Sequence, residues 1–325
     1  MTILRTCVAA IAFAALMPAG ASAQTAYPTG TVTIVAPSAP GGLFSLFARL
    51  IGMKLEASLG KTFIVENKPG AGTVVGALTV VRAPADGHTL MIANSTTLAI
   101  NPILFKKLPY DPADFAPIAL IARIPQVLVV HAGLPVTSIP DLVKLAKSTP
   151  GGLSYGTAGA GTAQHLDAEL LKSVLDIPMT HVPYKGMVPA LSDVAGGHIP
   201  MMFAVIPPAV PLAQSGKIRM IGVTTPERIE PIADVPPLSE IGVPGFNAST
   251  WFMLVAPRKT PADVVGRLHQ EMRAFTSDPA IRKELAQQGL MPVESPSPEA
   301  LLAFIKDETA RFGKIIRQAG LAGSQ

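Results

Sequence analysis

The residues with the clearest chemical potential lie in two glycine loops. In the first, Pro40-Gly41-Gly42-Leu43-Phe44-Ser45 stands between a β-branched run at 31–35 and a helical apolar periodicity of Leu46, Leu50, Met53 and Leu55. A strand that turns into a helix in this way points free backbone N–H groups and the positive end of the helix dipole at one spot, which favours an anion. Glycine lets the backbone approach that anion closely. The second loop, Ala158-Gly159-Ala160-Gly161-Thr162, repeats the device between a strand expected at 153–157 and a helix expected over 162–175. It lacks both the Gly-Lys-Ser/Thr ending of a P-loop and the G-x-G-x-x-G spacing of a dinucleotide site. It is read as a cradle for a carboxylate, with the Thr162 hydroxyl adding to the backbone amides. Taken alone, either stretch is also an ordinary strand-to-helix turn.

Other polar groups stand at corresponding places. Ser95, Thr96 and Thr97 follow the strand expected at 88–93 and either offer hydroxyls to a ligand or cap the next turn. Tyr184 and Lys185 supply a hydroxyl and a cation after the strand at 179–183. His165, in the first turn of the helix after the second loop, is grouped with the ligand-facing residues. With Glu169 four residues on it makes two metal-type ligands, one or two short of a zinc site. The simpler reading is an exposed first turn whose acids, Asp167 and Glu169, complement the helix dipole. Gly152-Leu153-Ser154-Tyr155-Gly156 matches the nucleophile-elbow pattern of serine hydrolases, but Ser154 falls along a strand and not at a strand-to-helix apex.

The elements that must position these groups alternate strand and helix, which calls for α/β architecture with largely parallel sheets covered on both faces. The pattern restarts at Gln126 and returns through a Pro- and Gly-rich stretch at 230–250. Two lobes follow, 24–125 with 246–325 and 126–245, with crossings near 125 and 245. Ligands of such sheets bind beyond the carboxyl ends of the strands, so a cleft between the lobes is expected. The chain has 325 residues, 49% hydrophobic and 15% charged, enough for two cores. Residues 1–23 read as a signal peptide: Arg5, an apolar stretch at 8–17, and Ala21-Ser22-Ala23 before a mature start at Gln24. The only cysteine, Cys7, lies in that segment, so the mature chain has no disulfide, thiol nucleophile or thiolate metal site. Removing Arg5 lowers the formal charge from +4 to +3, and the cations are scattered singly, which argues against a nucleic-acid partner. A periplasmic location, a monomer and no cofactor are expected.

The chain resembles a known family over almost its whole mature length. The carriers are Ala39-Pro40-Gly41-Gly42, Val65-Glu66-Asn67-Lys68-Pro69-Gly70-Ala71-Gly72, Ala85-Asp86-Gly87-His88-Thr89-Leu90, Leu98-Ala99-Ile100-Asn101-Pro102, Lys107-Leu108-Pro109-Tyr110-Asp111-Pro112, Ala158-Gly159-Ala160-Gly161-Thr162, His181-Val182-Pro183-Tyr184-Lys185-Gly186 and Asp234-Val235-Pro236-Pro237. They are similar to the periplasmic substrate-binding components of tripartite tricarboxylate transporters, the Bug proteins. The resemblance implies a two-lobed, type II-like periplasmic binding-protein fold. It also implies a small carboxylate held between two pincer loops, delivery to a two-component membrane permease, and no catalysis. Where such proteins commonly carry an Asp this chain has Ser45, and where another acid is frequent it has Ala204; Leu43 and Phe44 are bulkier than usual. The ligand is therefore expected to lack an ammonium group and to carry an apolar or aromatic body. A ligand-presenting sensory protein is the alternative role, and a secreted serine esterase using Ser154 the rival of another class.

Overall fold

A computed structural model describes residues 27–325. The signal segment, with Cys7 and the cleavage site, lies outside the described residues. The elements, in chain order, are β1 (Val32–Ala36), α1 (Leu43–Leu59), β2 (Phe63–Asn67), α2 (Val74–Val81), β3 (Thr89–Asn94), α3 (Asn101–Leu104), β4 (Phe115–Ile124), β5 (Gln126–His131), α4 (Ile139–Ser148) and β6 (Leu153–Thr157). They continue with α5 (Ala163–Leu175), β7 (Met179–Pro183), α6 (Met187–Ala195), β8 (Met201–Val205), α7 (Ile206–Gln214), β9 (Ile218–Val223), β10 (Thr250–Pro257), α8 (Ala262–Ser277), α9 (Pro279–Gln287), β11 (Met291–Pro292) and α10 (Pro298–Gln318).

The strands form two sheets. The first has the order β11-β4-β10-β3-β1-β2 and the second β7-β6-β8-β5-β9. The sheets are mixed: β10 runs antiparallel to β3 and β4, β11 antiparallel to β4, and β5 antiparallel to β8 and β9. Apart from the two-residue β11, the antiparallel strand in each sheet is the one that has just crossed from the other. Without β11 the two sheets share one order, with the crossing strand inserted next to the last.

Both faces of each sheet are covered, and the central strands show it by their alternation. On β10, Phe252, Leu254 and Ala256 enter the core under α1 and α8, while Trp251, Met253 and Val255 enter the core under α2 and α10. On β5, Leu128 and Val130 face one way and Val127 and Val129 the other. α1 forms where expected but buries a different face: Phe47, Ile51 and Leu55 are sealed at i, i+4 and i+8, whereas Leu46 and Leu50 are half-buried and Met53 is exposed. Gly60 then ends the helix in the left-handed region at φ 68°, its N–H donating to Glu56 O. A further stretch departs from expectation. Residues 94–97 are not a loop; a π-helical turn at Thr96–Ile100 leads directly into α3.

The two units meet along α10 and α5, and Leu166 of α5 belongs to a core otherwise built by the first unit. Beside that contact lies a polar cluster. Trp251 donates through Nε1 to Glu308 Oε2 at 2.7 Å, and Arg311 grips the same carboxylate from Nε at 2.9 Å and from a terminal nitrogen at 2.6 Å. Arg311 also donates to the carbonyls of Asn247 and Ser249, so it fastens α10 to the segment returning from the second sheet. Replacing Arg311 with Ala strips the nearly buried Glu308 of its cation and leaves both carbonyls without that donor. Urea titration is expected to show a loss of about 2–3 kcal/mol, less than for a fully buried pair because the guanidinium keeps some solvent contact.

Candidate ligand-binding cleft

Topology alone brings the two glycine loops to one place. β1, β3 and β4 are mutually parallel, and β4 ends at Ile124, one residue before the crossing. β6, β7 and β8 are mutually parallel and oppose β5, which begins just after the crossing, with Gln126 paired to Val205. The carboxyl ends of both sets therefore face the same junction at Pro125. Side-chain contacts agree with this. A Cβ built on Gly161 would lie 2.5 Å from Leu104 Cδ2, so the second loop rests against α3 of the first unit. Gly41 and Gly42 share a cavity of about 420 Å³ with Val205 and Ile206 of the second unit.

Several helix starts at this junction lack the side-chain caps that α4, α9 and α10 carry. α4, α9 and α10 are capped by Ser138, Asp278 and Ser297, whose side chains accept from first-turn N–H groups. α1, α5, α6 and α7 have no side-chain cap and no acid in the first turn. Their first amides are left to solvent or to a ligand. The first loop is held from behind. Asn67, at the carboxyl end of β2, donates to Ser38 O at 2.9 Å and to Ser45 Oγ at 2.5 Å, and Ser45 Oγ in turn reaches Ala39 O at 3.5 Å. Ser45 is sealed, whereas Pro40, Gly41 and Gly42 are exposed. Gly41 sits at φ 92°, a conformation costly for other residues. Leu43 is half-buried at the cavity wall, and Phe44 packs edge-to-face on Phe252 with centroids 4.7 Å apart.

The second loop is likewise braced. Thr157 Oγ1 accepts from Gly159 N at 3.1 Å, and Thr162 Oγ1 donates to Gly159 O at 2.7 Å. Gly161 N donates to His165 Nδ1 at 3.0 Å, which requires that nitrogen to be unprotonated. His165 stacks on His181 at 3.8 Å, and His181 Nε2 lies 2.7 Å from Thr157 Oγ1. The expected exposed first turn is thus corrected: His165 and Asp167 are buried, 4% and 1% exposed. Burial and the adjacent His181 push the His165 imidazole down to about 4. Burial also holds the Asp167 carboxyl well above the usual range, with Gln126 Nε2 donating to it at 2.6 Å.

The sequence model of the TctC family, described as the tripartite tricarboxylate transporter family receptor, matches residues 47–321. The chain belongs to the TctC receptor family. A protein of Pseudomonas sp. (strain P51) encoded in the tcbD-tcbE intergenic region is 36% identical over 302 residues, 92% of this chain and 89% of that one. Among solved structures, R. palustris Rpa4515 with adipate is 37% identical with a TM-score of 0.81, covering 91% of this chain and 99% of that one. MatC from Rhodopseudomonas palustris with bound malate is 31% identical with a TM-score of 0.76, covering 89% and 100%.

The remaining expected site residues of this TctC receptor are dispersed. Ser95 is sealed with its Oγ unpartnered. Thr96 is half-buried in the π-turn. Thr97 is a brace, donating to Thr73 Oγ1 and contacting Asn94 Oδ1. Tyr184 spends its hydroxyl on Asp193 at 2.7 Å, Lys185 is exposed, and Ala158, Gly159 and Ala160 lie at or near the surface. Ala204 is sealed in the core between the second sheet and α6 and α7, so it offers no surface to the cleft. Ser154 is half-buried near the amino end of β6, in register with Thr180. Two features were missed in the sequence. Asn67 staples the first loop. Residues 70–73 hold four consecutive positive φ angles, including Thr73 at 79°, secured by Asn101 donating to Gly72 O and by Thr97. The motif Asn67-Lys68-Pro69-Gly70-Ala71-Gly72 carried that signal but was read only as turn chemistry at 67–70 and as part of the family resemblance.

Two outcomes follow for this receptor. Asn67→Ala is expected to weaken carboxylate binding in calorimetry about tenfold while the protein still unfolds cooperatively, because the exposed glycines lose their brace and not their amides. The depressed His165 makes the folded state take up a proton less readily than the unfolded chain. Its contribution is complete above pH 6.5 and is lost as pH falls towards 4, on the order of 3 kcal/mol at pH 4. Thermal unfolding across that range checks this, and His165→Asn, which keeps an acceptor but cannot be protonated, should flatten the acid slope.

Proposed function

We propose that this protein captures a small carboxylate in the cleft at Pro125, between the residues 40–45 and 158–162, and delivers it from the periplasm to the membrane permease of a tripartite transporter. The observation that carries the reading is the pair of braced glycine loops ending in uncapped helices, α1 and α5, one from each sheet. Amides at helix starts favour an anion and suit a carboxylate better than a neutral group. The adipate and malate named for the two neighbours are both dicarboxylates, which supports the same class of ligand here.

The first turn of α1 carries no acid, and Ser45 and Ala204 are both sealed, so none of these positions supplies a partner for an ammonium group. The proposed ligand therefore lacks one. Closure of the two units about the crossings would present the loaded form to the permease. Export by the residues 1–23 is part of the proposal. Among the described residues no helix is long and apolar enough to cross a membrane.

Purified protein screened by thermal shift is expected to gain several degrees with adipate or malate and nothing with aspartate, because a ligand that binds only the folded state raises the melting point. Stabilisation by aspartate without any by plain carboxylates would refute the reading.

A further inference from the structure

Two glycines at the junction each receive a side chain from the opposite unit. Gly161, in the second loop, lies against Leu104 of α3. The three atoms nearest to a Cβ built there all belong to the Leu104 side chain, the closest at 2.5 Å. Gly289, in the turn between α9 and β11, lies against Ile206 at the start of α7, whose Cβ and Cγ2 would be 2.9 and 3.0 Å from a built Cβ. The pairing is reciprocal, since Gly161 belongs to the second unit and Gly289 to the first. Neither seat has room for a methyl group. Each also adjoins one glycine loop: Gly161 is part of the second, and Gly289 and Ile206 border the cavity shared by Gly41 and Gly42.

The incoming side chains are held from behind. Leu104 is buried, and its one-turn helix is tied by backbone bonds to the last residues of the chain. Gly323 and Gln325 donate to the carbonyls of Ile103 and Leu104 at 3.0 and 3.1 Å, and Lys106 N donates to Gln325 O at 2.9 Å. Asn101 Nδ2 anchors the other side of α3 on Gly72 O at 2.8 Å. Ile206 is sealed between Val205, paired with Gln126, and Pro207 and Pro208, whose rings fix φ at the next two positions. Neighbouring residues cross with them: Val205 packs on the core under α1 and α8, and Met291 packs on the core of α6 and α7.

The two seats lie on opposite faces of the first sheet. Leu104 belongs to the core under α2 and α10, whereas Leu290, next to Gly289, belongs to the core under α1 and α8. A rotation about the crossings that opens one seat presses the other, and close-packed groups resist compression. Filling both seats therefore fixes one relative position of the units.

We infer that Gly161 and Gly289 are the seats that fix the closed, ligand-holding arrangement, admitting Leu104 on one face and Ile206 on the other. This inference rests on the carboxylate-binding reading of the cleft and names the residues that position its two halves. A ligand held only by the closed form binds more weakly in proportion as that form is depopulated.

Gly245, in the returning segment, supplies the control. Its φ is 71° against 69° at Gly289, but nothing lies within 4 Å of a Cβ built on it. Gly245→Ala and Gly289→Ala thus strain the backbone alike, and only the second fills a seat. Calorimetry with adipate, and small-angle X-ray scattering with and without it, test the inference on proteins whose thermal unfolding is cooperative. Gly289→Ala should bind adipate about tenfold more weakly than the wild type and keep a larger radius of gyration in its presence. Gly245→Ala should match the wild type in both. Gly161→Ala should behave as Gly289→Ala does, and adding Leu104→Ala should return its radius towards the wild-type value. Wild-type affinity and radius in Gly289→Ala, or equal losses in Gly245→Ala, would overturn the seats and leave the carboxylate reading standing. A wild type that binds neither adipate nor malate would overturn the carboxylate reading. The seats are then judged on ligand-free scattering, where equal radii for Gly289→Ala and the wild type would overturn them as well.

Discussion

The first four backbone N–H groups of a helix have no partner within that helix, and leaving them unpaired is costly when water is excluded. The protein meets this constraint in two ways. Away from the junction, Ser138, Asp278 and Ser297 turn a side-chain oxygen onto the first turn. At the junction the corresponding residues are Gly42, Thr162, Gly186 and Val205, and none caps. The rest of the cleft serves those open amides. Asn67 fixes the first loop through Ser38 and Ser45, and His165 with Thr157 fixes the second. The bracing groups lie behind the loops, so loop shape is set without occupying the amides.

The same logic explains the buried polar residues near the crossing. Gln126 begins β5 directly after Pro125 and donates to Asp167, and the Arg311 charge acts on Asp167 from α10. Desolvation outweighs that charge and holds the carboxyl well above the usual carboxylate range. Burial disfavours the charged form of Asp167, while Glu308, which keeps slight solvent contact, takes the full grip of Arg311 and Trp251. Polar attachments thus tie α5, α10 and both crossing segments together where apolar packing alone would leave sliding freedom.

Much of this architecture was legible in the sequence because its signals are local. The helix after the first loop, the capping residues Asp278 and Ser297, and the paired strand–glycine–helix stretches each specify their own structure. The antiparallel insertions of β5 and β10 were not legible, since strand direction depends on the path between units. Side-chain allegiance was harder still. Ser45 and Thr97 read as hydroxyls available to a ligand, but each is drawn to a nearby partner, Asn67 and Thr73, that only the folded chain supplies. Ala204 lies one residue before the junction, and strand alternation turns it into the core while Val205 reaches the first unit. His165 looked exposed because the rings beside it, Tyr155 of β6 and His181 of β7, are brought to α5 only by the folded sheet.

Trp251 is the chain's only tryptophan. Its indole is sealed in β10, stacked edgewise on Phe304 and hydrogen-bonded to Glu308. The intrinsic emission of this protein therefore arises from one shielded indole in the segment that joins the two units, not from an average over many sites. Light absorbed there reports on the seating of α10 against the returning strand. Rearrangement confined to the glycine loops leaves those two contacts unaltered, whereas any shift of α10 against β10 changes them directly.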